Sequence, residues 1–193
     1  MTVKTRKIEK IEIHPLTPER WADFETVFGP NGAWAKCWCM WWRMSNKEFT
    51  TAKGEERHDA MRSVVQAGKE PGLIAYADGV PAGWAAVAPR ADYPRLQTSK
   101  NLAPVDDQPV WSIPCFFIHR NYRRQHLMER LIEAACEYAR DHGARILEAY
   151  PLDVEEKTRP SNVYTGVTVA FERAGFEVAA RREYRPVMRK NLV

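Results

Sequence analysis

A basic turn in the second half of the chain carries the residues best suited to chemistry. It reads Tyr122-Arg123-Arg124-Gln125-His126-Leu127-Met128 and precedes a long amphipathic stretch. The first turn of a helix has unpaired N–H groups and the positive end of the helix dipole, so it attracts phosphate. Two arginines add positive charge and forked donors that match phosphate oxygens. The turn therefore predicts a phosphate-binding site, although a solvated basic turn has the same composition.

The basic turn lies between a predicted strand and a predicted helix. Residues 110–118 are apolar, which is typical of a strand buried on both faces, and Pro114 predicts a bulge because proline cannot donate to the ladder. The helix has an apolar stripe and ends at Gly143, and residues 144–150 predict a second strand. Ligands of open α/β sheets tend to bind at the carboxyl ends of strands. This position favours the ligand-binding interpretation.

Four side chains near this βαβ unit are candidates for proton transfer. His119 ends the first strand, and histidine has the ordinary pKa nearest neutrality. Glu148 and Tyr150 lie on one face of the second strand, because strand side chains alternate. Tyr164 could supply a hydroxyl from the helix expected to begin at Ser161 or Asn162. It lies seven residues before Phe171, so the two side chains would lie on nearly the same face of that helix. The sequence does not choose among the four, because a general acid or base must lie within hydrogen-bond reach of the substrate.

Residues 34–43 have the most unusual composition in the chain, with four of its seven tryptophans and two of its four cysteines. One interpretation is a packed aromatic corner, since large apolar side chains are usually buried. Another is the wall of a substrate pocket, because aromatic side chains supply rigid surface with a polar handle. The Cys-x-Cys pair lacks a second cluster at zinc spacing, which argues against a metal. A reactive thiolate at Cys37 or Cys39 is a further interpretation.

Hydrophobic periodicity predicts the elements around this unit. Strands are expected at 8–16, 73–77, 82–88, 176–184 and 185–192, and further helices at Thr17, at 55–67 and from Ser161 or Asn162. The pair Asp78-Gly79 predicts a hairpin between two of the strands. Residues 90–108 are polar and predict a loop beside the site. A chain of 193 residues without an internal repeat predicts one domain over residues 1–193.

Composition excludes several classes of protein. Hydrophobic residues make up 45% and charged residues 28% of the chain, which is ordinary for a globular protein. The net charge of +4 fits an anionic ligand and is too mild to predict nucleic-acid binding. No apolar run is long enough to predict a membrane span, and the first residues do not resemble a secretion signal. With too few cysteines for a disulfide scaffold, the sequence predicts a cytoplasmic protein.

Two motifs resemble a known family. The pattern Phe116-x-Ile118-x-x-x-Tyr122-Arg123-x-x-His126-x-Met128, with a helix ending Ala139-x-x-x-Gly143, resembles the acyl-CoA-binding core of the GNAT superfamily of N-acetyltransferases. Residues 170–176, AFERAGF, resemble the late helix of that family and its closing Gly-Phe. His126 and Met128 depart from the small residues usual in the family's loop. Phe171 stands where many members have a tyrosine that acts as general acid, so no acid is carried over there.

The resemblance implies a fold, a co-substrate and a reaction. The expected fold is α/β (α+β), a mixed and mostly antiparallel sheet of about seven strands flanked by helices, with a bulged and splayed central strand. Acetyl-CoA is expected to bind along that strand and at the basic turn. The implied binding residues are Phe116, Phe117, Ile118, Arg123, Arg124, Gln125, His126, Leu127 and Met128. The implied reaction is direct attack of an amine on the thioester, without a metal.

The same residues are compatible with two functions other than catalysis. A non-catalytic acyl-CoA-binding or sensor domain would keep the basic turn and need no proton-transfer residues. An interaction module that has lost the cofactor would present residues 34–43 as a contact surface. Pairing of two copies through the closing strands is a further expectation, and the identity of the amine is not predicted.

Overall fold

The computed structural model describes residues 7–153 and 164–193. The strands are β1 (Ile11–Pro15), β2 (Gly72–Ala77), β3 (Val80–Pro89), β4 (Trp111–Ile118), β5 (Ile146–Ala149), β6 (Glu177–Ala180) and β7 (Val187–Asn191). The helices are α1 (Trp21–Phe28), α2 (Asn46–Thr51), α3 (Gly54–Gln66), α4 (Pro94–Thr98), α5 (Leu127–Asp141) and α6 (Thr168–Arg173). The strands form one seven-stranded sheet in the order β1-β2-β3-β4-β5-β7-β6.

The sheet is mixed and mostly antiparallel, as predicted. Among the seven described strands only β4 and β5 pair in parallel, and α5 connects them as the crossover of the predicted βαβ unit. The hairpin between β2 and β3 turns at Asp78 and Gly79, whose φ angles of +51° and +78° fit the tight turn that such a pair favours. No helix in the described ranges combines the length and apolar character needed to cross a membrane.

The predicted bulge lies in β4. Ile113 and Pro114 together face the single residue Val87 of β3. Strand β5 pairs with β4 only from Trp111 to Ile113. Beyond the bulge, within the part of the chain that the structure describes, β4 has no β5 partner and the two strands separate. The predicted splay of the central strand is therefore confirmed.

The two faces of the sheet have different cores. Helix α5 covers one face, and its buried residues are Leu127, Leu131, Ile132, Ala135, Cys136 and Ala139. The other face is covered by α1, α3 and the tryptophan-rich segment 34–43, which pack on Trp84 of β3. The end of β4 serves both cores, because Phe116 points to the α5 side and Phe117 to the other. Substitutions at the end of β4 are therefore expected to affect the packing on both faces of the sheet.

Two sequence predictions are wrong in part. Residues 90–108 are not a plain polar loop: they contain α4, and Tyr93, Leu96 and Leu102 are buried in a third small core. The expected helix start at Ser161 or Asn162 lies outside the described residues. Tyr164 itself lies in a turn, and α6 begins only at Thr168. Gly166, with φ of +85°, breaks the helical backbone between them.

Candidate functional site

The basic turn enters α5 through two residues in the left-handed conformation. Arg124 has φ of +61° and His126 has φ of +60°. Such angles favour glycine because a Cβ atom crowds the backbone there. Arg124 and His126 therefore hold these angles at a cost in steric strain.

The mouth of the turn is open. The side chain of His126 is 80% exposed and its Nδ1 lies 3.3 Å from Glu129 Oε1, beside the turn. Met128 points inward and packs against the core on the α5 side. The side chain of the N-cap residue His126 makes no hydrogen bond to the backbone N–H groups of the first turn of α5. The N–H groups of that turn are thus available to an anion.

Three side chains of the turn have defined positions. Arg123 Nε donates to the Ile118 carbonyl at 3.0 Å, which holds its guanidinium against the end of β4. Arg124 is exposed. Gln125 Oε1 accepts from the Ile8 N–H at 3.0 Å and so ties the turn to the start of the described chain. Two cations therefore lie beside the uncapped helix end.

The splayed edge of β4 presents backbone groups of alternate residues. The His119 N–H donates to Ala82 of β3 at 2.9 Å, so the N–H groups of Phe116 and Ile118 point away from β3. The Phe116 N–H donates to the Tyr164 carbonyl at 2.5 Å. The N–H of Phe117 has the same direction as that of His119, so it points toward its partner Trp84 on β3 and not to the splayed edge.

A cavity of about 320 Å³ lies against this part of β4. Its lining residues are Phe28, Ala33, Trp34, Cys37, Cys39, Trp41, Trp42, Phe49, Cys115, Phe116, Phe117 and Tyr164. Among the residues that the structure describes, no Asp, Glu, Lys or Arg lines it. A cavity of this composition and size suits a small apolar ligand.

The tryptophan-rich segment has both structural roles that its composition suggested. Trp38 and Met40 are buried in the core, as a packed aromatic corner requires. Trp34 is 72% exposed and, with Trp41 and Trp42, lines the cavity. The segment is thus both a packed corner and a pocket wall. Among the described residues no group of three or more His, Cys, Asp or Glu is arranged to hold a metal ion.

Two arginines contact aromatic residues of the cavity wall. Arg95 Nε donates to the Trp41 carbonyl at 2.6 Å, and its Cζ lies 3.8 Å from the centre of the Trp41 ring. Arg57 donates to the Phe49 carbonyl at 2.7 Å, with Cζ 3.9 Å from the centre of the Phe49 ring. Cations over aromatic faces are attractive and fix the rings in place. Neither contact was predicted from the sequence.

The thiols of the cavity differ in acidity. Burial raises the pKa of Cys37 to about 11, so this thiol stays protonated at neutral pH. A hydrogen bond from the Cys115 thiol lowers the pKa of Cys39 against the effect of burial. Trp84 Nε1 also donates to Cys39 Sγ, at 3.1 Å. Of the two cysteines named from the sequence, Cys39 is therefore the one whose surroundings lower the pKa of its thiol.

Glu148 and Tyr150 lie together, as their alternation predicted, but in a closed network. Arg90 Nη1 donates to Glu148 Oε1 at 2.8 Å and to the Tyr150 hydroxyl at 2.6 Å. Arg189 Nε donates to the other oxygen of Glu148 at 2.8 Å. The Tyr150 hydroxyl donates to Glu148 and also meets Ser112 Oγ at 2.9 Å. These buried groups bind one another, and they do not line the cavity.

Arg90 is the residue that the sequence interpretation missed. Besides Glu148 and Tyr150, it donates to the carbonyls of Leu96 at 3.0 Å and Leu102 at 2.5 Å. It thereby joins the segment after β3 to β5. A signal was present: Glu148 stands inside an apolar strand, and a buried carboxylate requires a cation. Which basic residue pairs with Glu148 depends on the tertiary structure.

The other two candidates for proton transfer are Tyr164 and His119. Tyr164 lines the cavity, and burial raises the pKa of its hydroxyl, with Arg185 opposing the shift. His119 directly follows β4, two residues after Phe117, and it is not among the residues that line the cavity. Burial lowers the pKa of His119, and the charges of Arg120 and Arg123 add to that effect. At neutral pH the tyrosine holds its proton and the histidine is neutral.

The strain at His126 leads to a prediction. His126→Gly is expected to raise the free energy of unfolding by roughly 0.5–1 kcal/mol, because glycine adopts positive φ without a steric penalty. The matched control is Arg130→Gly, an exposed position one turn further along α5, which should lower the free energy of unfolding by about 1 kcal/mol. Urea denaturation measures both. A destabilised His126→Gly variant would contradict the left-handed assignment.

Comparisons with known proteins identify the family. The model of the acetyltransferase (GNAT) family matches residues 34–164, more than half of the chain. The match includes β4, the basic turn and the cavity wall. No curated protein sequence matches the chain significantly.

Solved structures share the fold at low sequence identity. The PaiA N-acetyltransferase of Thermoplasma acidophilum, solved with coenzyme A, is 14% identical, with a TM-score of 0.50 over 94% of this chain and 99% of that one. A putative GNAT acetyltransferase of Desulfovibrio desulfuricans is 15% identical, with a TM-score of 0.55 over 95% and 100%. The putative acetyltransferase YncA of Salmonella typhimurium, solved with acetyl-CoA, is 14% identical, with a TM-score of 0.52 over 95% and 94%. By its family-model match and its splayed seven-stranded sheet, the chain belongs to the acetyltransferase (GNAT) family.

Proposed function

We propose that this protein transfers an acetyl group from acetyl-CoA to the nitrogen of an amine. The observation that carries the proposal is one juxtaposition: the uncapped, arginine-flanked turn into α5, the splayed edge of β4 and the apolar cavity all meet at the end of β4. Family membership supports an acetyl donor. The structures from Thermoplasma acidophilum and Salmonella typhimurium support coenzyme A and acetyl-CoA as ligands of the fold.

The turn has the groups that a pyrophosphate requires. Arg124 and His126 have left-handed backbone angles. The N–H groups of the first turn of α5 have no side-chain cap from His126. The side chains of Arg123 and Arg124 add charge-assisted donors. In the proposal the segment from Arg123 to Met128, with Gln125 anchoring it, binds the pyrophosphate of the cofactor.

The splayed edge of β4 has the groups that a pantetheine arm requires. The N–H groups of Phe116 and Ile118 point into the gap left by β5. In the proposal they donate to carbonyl oxygens of the arm. The Phe116 N–H must first release the Tyr164 carbonyl. Phe117 contributes through its side chain, which lines the cavity.

The proposed chemistry needs a donor at the carbonyl oxygen and two proton transfers. Bound acetyl-CoA supplies a thioester carbonyl carbon, which the amine nitrogen attacks directly. The backbone N–H of Phe116 or Ile118 donates to the carbonyl oxygen as negative charge develops. His119, neutral at pH 7, takes the proton from nitrogen as the C–N bond forms, directly or through water. The Tyr164 hydroxyl, which keeps its proton, donates it to sulfur as the C–S bond breaks.

Glu148 and Tyr150 have a different part in the proposal. Arg90 and Arg189 bind both oxygens of Glu148, and Glu148 binds the Tyr150 hydroxyl. We infer that they stabilise β5 beside the splay and do not exchange protons with substrate.

The single sheet that contains strands from Ile11 to Asn191 also supports one domain over residues 1–193.

The role of His119 predicts the pH dependence of turnover. Because its pKa is lowered, His119 should remain a neutral base below the ordinary histidine pKa, and kcat should fall only as the pH drops through the lowered value. Arg120→Gln removes one of the charges that disfavour the imidazolium, so the acid limb of the kcat profile should move to higher pH. His119→Asn should abolish that limb. An acid limb at the same pH in all three proteins would exclude His119.

The proposed reaction is tested by mass spectrometry of amine mixtures incubated with the protein and acetyl-CoA. We expect an N-acetylated amine and an equal amount of free CoA. Acetyl-CoA binding without any acetylated product would favour the non-catalytic sensor. The absence of both binding and product would favour an interaction module.

A further inference from the structure

We propose that the acceptor is a small aromatic amine that is neutral at its nitrogen and carries no other charge. The inference rests on the proposed acetyl transfer and adds the chemical class of the acceptor. The juxtaposition behind it is an uncharged aromatic cavity that borders the splayed edge of β4, where the thioester would lie.

The position of the cavity links it to the reaction. Cys115, Phe116 and Phe117 form its β4 wall, and the Phe116 N–H points into the splay beside it. A ligand that fills the cavity therefore places one end next to the backbone proposed to hold the thioester. A volume of about 320 Å³ is at the lower end of the range for small-molecule sites, roughly 300–1,000 Å³. This favours a ligand of one or two rings.

The charge of the lining limits the charge of the ligand. Within residues 7–153 and 164–193, no carboxylate lines the cavity to pair with an ammonium group. In the same ranges no Lys or Arg lines it to pair with a carboxylate or phosphate. Burying an ion without a partner is strongly unfavourable. An aromatic amine avoids this cost, because delocalisation of its lone pair into the ring keeps the nitrogen neutral at pH 7.

The walls favour an aromatic ligand over an aliphatic cation. Trp41 and Phe49 already carry the guanidinium groups of Arg95 and Arg57 over one face. These guanidinium groups already occupy the favourable position for a cation over each ring. A neutral ring gains from offset or edge-to-face contacts with Trp34, Trp41 and Phe49. The rings are held by backbone hydrogen bonds from the same arginines, so the shape of the cavity is preformed.

Three compounds of nearly equal size distinguish the effect of charge from that of aromatic character. 4-Methylaniline is neutral and aromatic, 4-aminobenzoate adds a carboxylate to the same ring, and 4-methylcyclohexylamine is an aliphatic ammonium at pH 7. Binding to the full chain is measured by saturation-transfer NMR, with and without acetyl-CoA. We expect 4-methylaniline to bind at least about tenfold more tightly than the other two, because each of them buries an unpaired charge. Equal or tighter binding of either charged compound would overturn the proposal.

A substitution that adds charge to the cavity provides the second test. Cys37→Asp places a carboxylate in the lining and should reverse the preference, so that 4-methylcyclohexylamine binds more tightly than 4-methylaniline. The control is Val80→Asp, which adds the same charge at an exposed position of the β2–β3 hairpin. Val80→Asp should keep the wild-type order of the three compounds. An unchanged order in a folded Cys37→Asp protein would show that these amines do not bind in the cavity.

Acetyl transfer is followed separately in the same samples by mass spectrometry. Tight binding of 4-methylaniline without acetylation would support the aromatic preference and contradict the proposed function. Acetylation of an aliphatic amine without binding of 4-methylaniline would support the function and overturn the acceptor class.

Discussion

Replacing Arg90 by methionine is expected to lower the free energy of unfolding by about 3–5 kcal/mol, as measured by urea denaturation. Arg90 is buried and donates to Glu148, which is only 1% exposed. Methionine keeps much of the volume but removes the guanidinium, so the carboxylate loses one of its two cationic partners. The carbonyls of Leu96 and Leu102 also lose their donor in a buried environment.

The control for Arg90 is an ion pair of similar length on the surface. Arg130 Nη1 lies 2.7 Å from Glu133 Oε2, with both side chains more than half exposed. Arg130→Met should change the free energy of unfolding by less than about 1 kcal/mol, since exposed pairs contribute little. Comparable effects for the two substitutions would mean that the Arg90 pair is not buried as described.

Reversing the charge of the basic turn is expected to have the largest effect on ligand binding. The double variant Arg123→Glu/Arg124→Glu should weaken acetyl-CoA binding at least about tenfold, because charge-assisted contacts to phosphate are lost and replaced by repulsion. Isothermal titration measures the dissociation constant. Unchanged affinity in the folded double variant would remove the turn from the binding site.

A second double variant makes the same change in net charge elsewhere. Arg140 and Arg145 are exposed near the far end of α5, about 20 Å from the turn by the rise of an α-helix. Arg140→Glu/Arg145→Glu should alter the affinity much less, because exposed charges at this distance are screened by salt. Equal losses in the two variants would point to the overall charge of the protein and not to contacts in the turn.

Local sequence signals predicted much of the fold. Pro114 cannot donate to a ladder, and the bulge lies at that residue. Asp78-Gly79 favours positive φ at two consecutive positions, and the hairpin turns there. The stripe of α5 follows helical periodicity to the last turn, although Tyr138 is only half-buried. In each case the cause lies within a few residues, which is why the sequence alone was sufficient.

The contacts that the sequence did not reveal join distant segments. Arg90 binds a carboxylate 58 residues away, and Arg95 reaches the carbonyl of Trp41, 54 residues away. No periodicity encodes such pairings. The same reason explains residues 90–108, where buried contacts overrode a polar composition. Tyr164 was expected on a helix, and Gly166 prevents that because its positive φ interrupts the helical backbone.

The candidate site was predicted in position more than in detail. The basic turn and β4 were placed correctly relative to each other, since both belong to one βαβ unit. The left-handed conformation of His126 was not foreseen, because the sequence shows only that glycine is absent. The cavity depends on residues from α1, segment 34–43, α2 and β4. Only the folded chain brings these together.

Titration of the wild-type protein with acetyl-CoA and with S-acetylpantetheine tests the central claim most directly. The two ligands share the thioester and the arm, but S-acetylpantetheine lacks the nucleotide and its phosphates. We predict saturable binding of acetyl-CoA, and binding of S-acetylpantetheine that is weaker by at least about tenfold because the contacts of the basic turn are lost. If acetyl-CoA does not bind, or binds no more tightly than S-acetylpantetheine, the turn into α5 is not a phosphate site and the proposed function is contradicted.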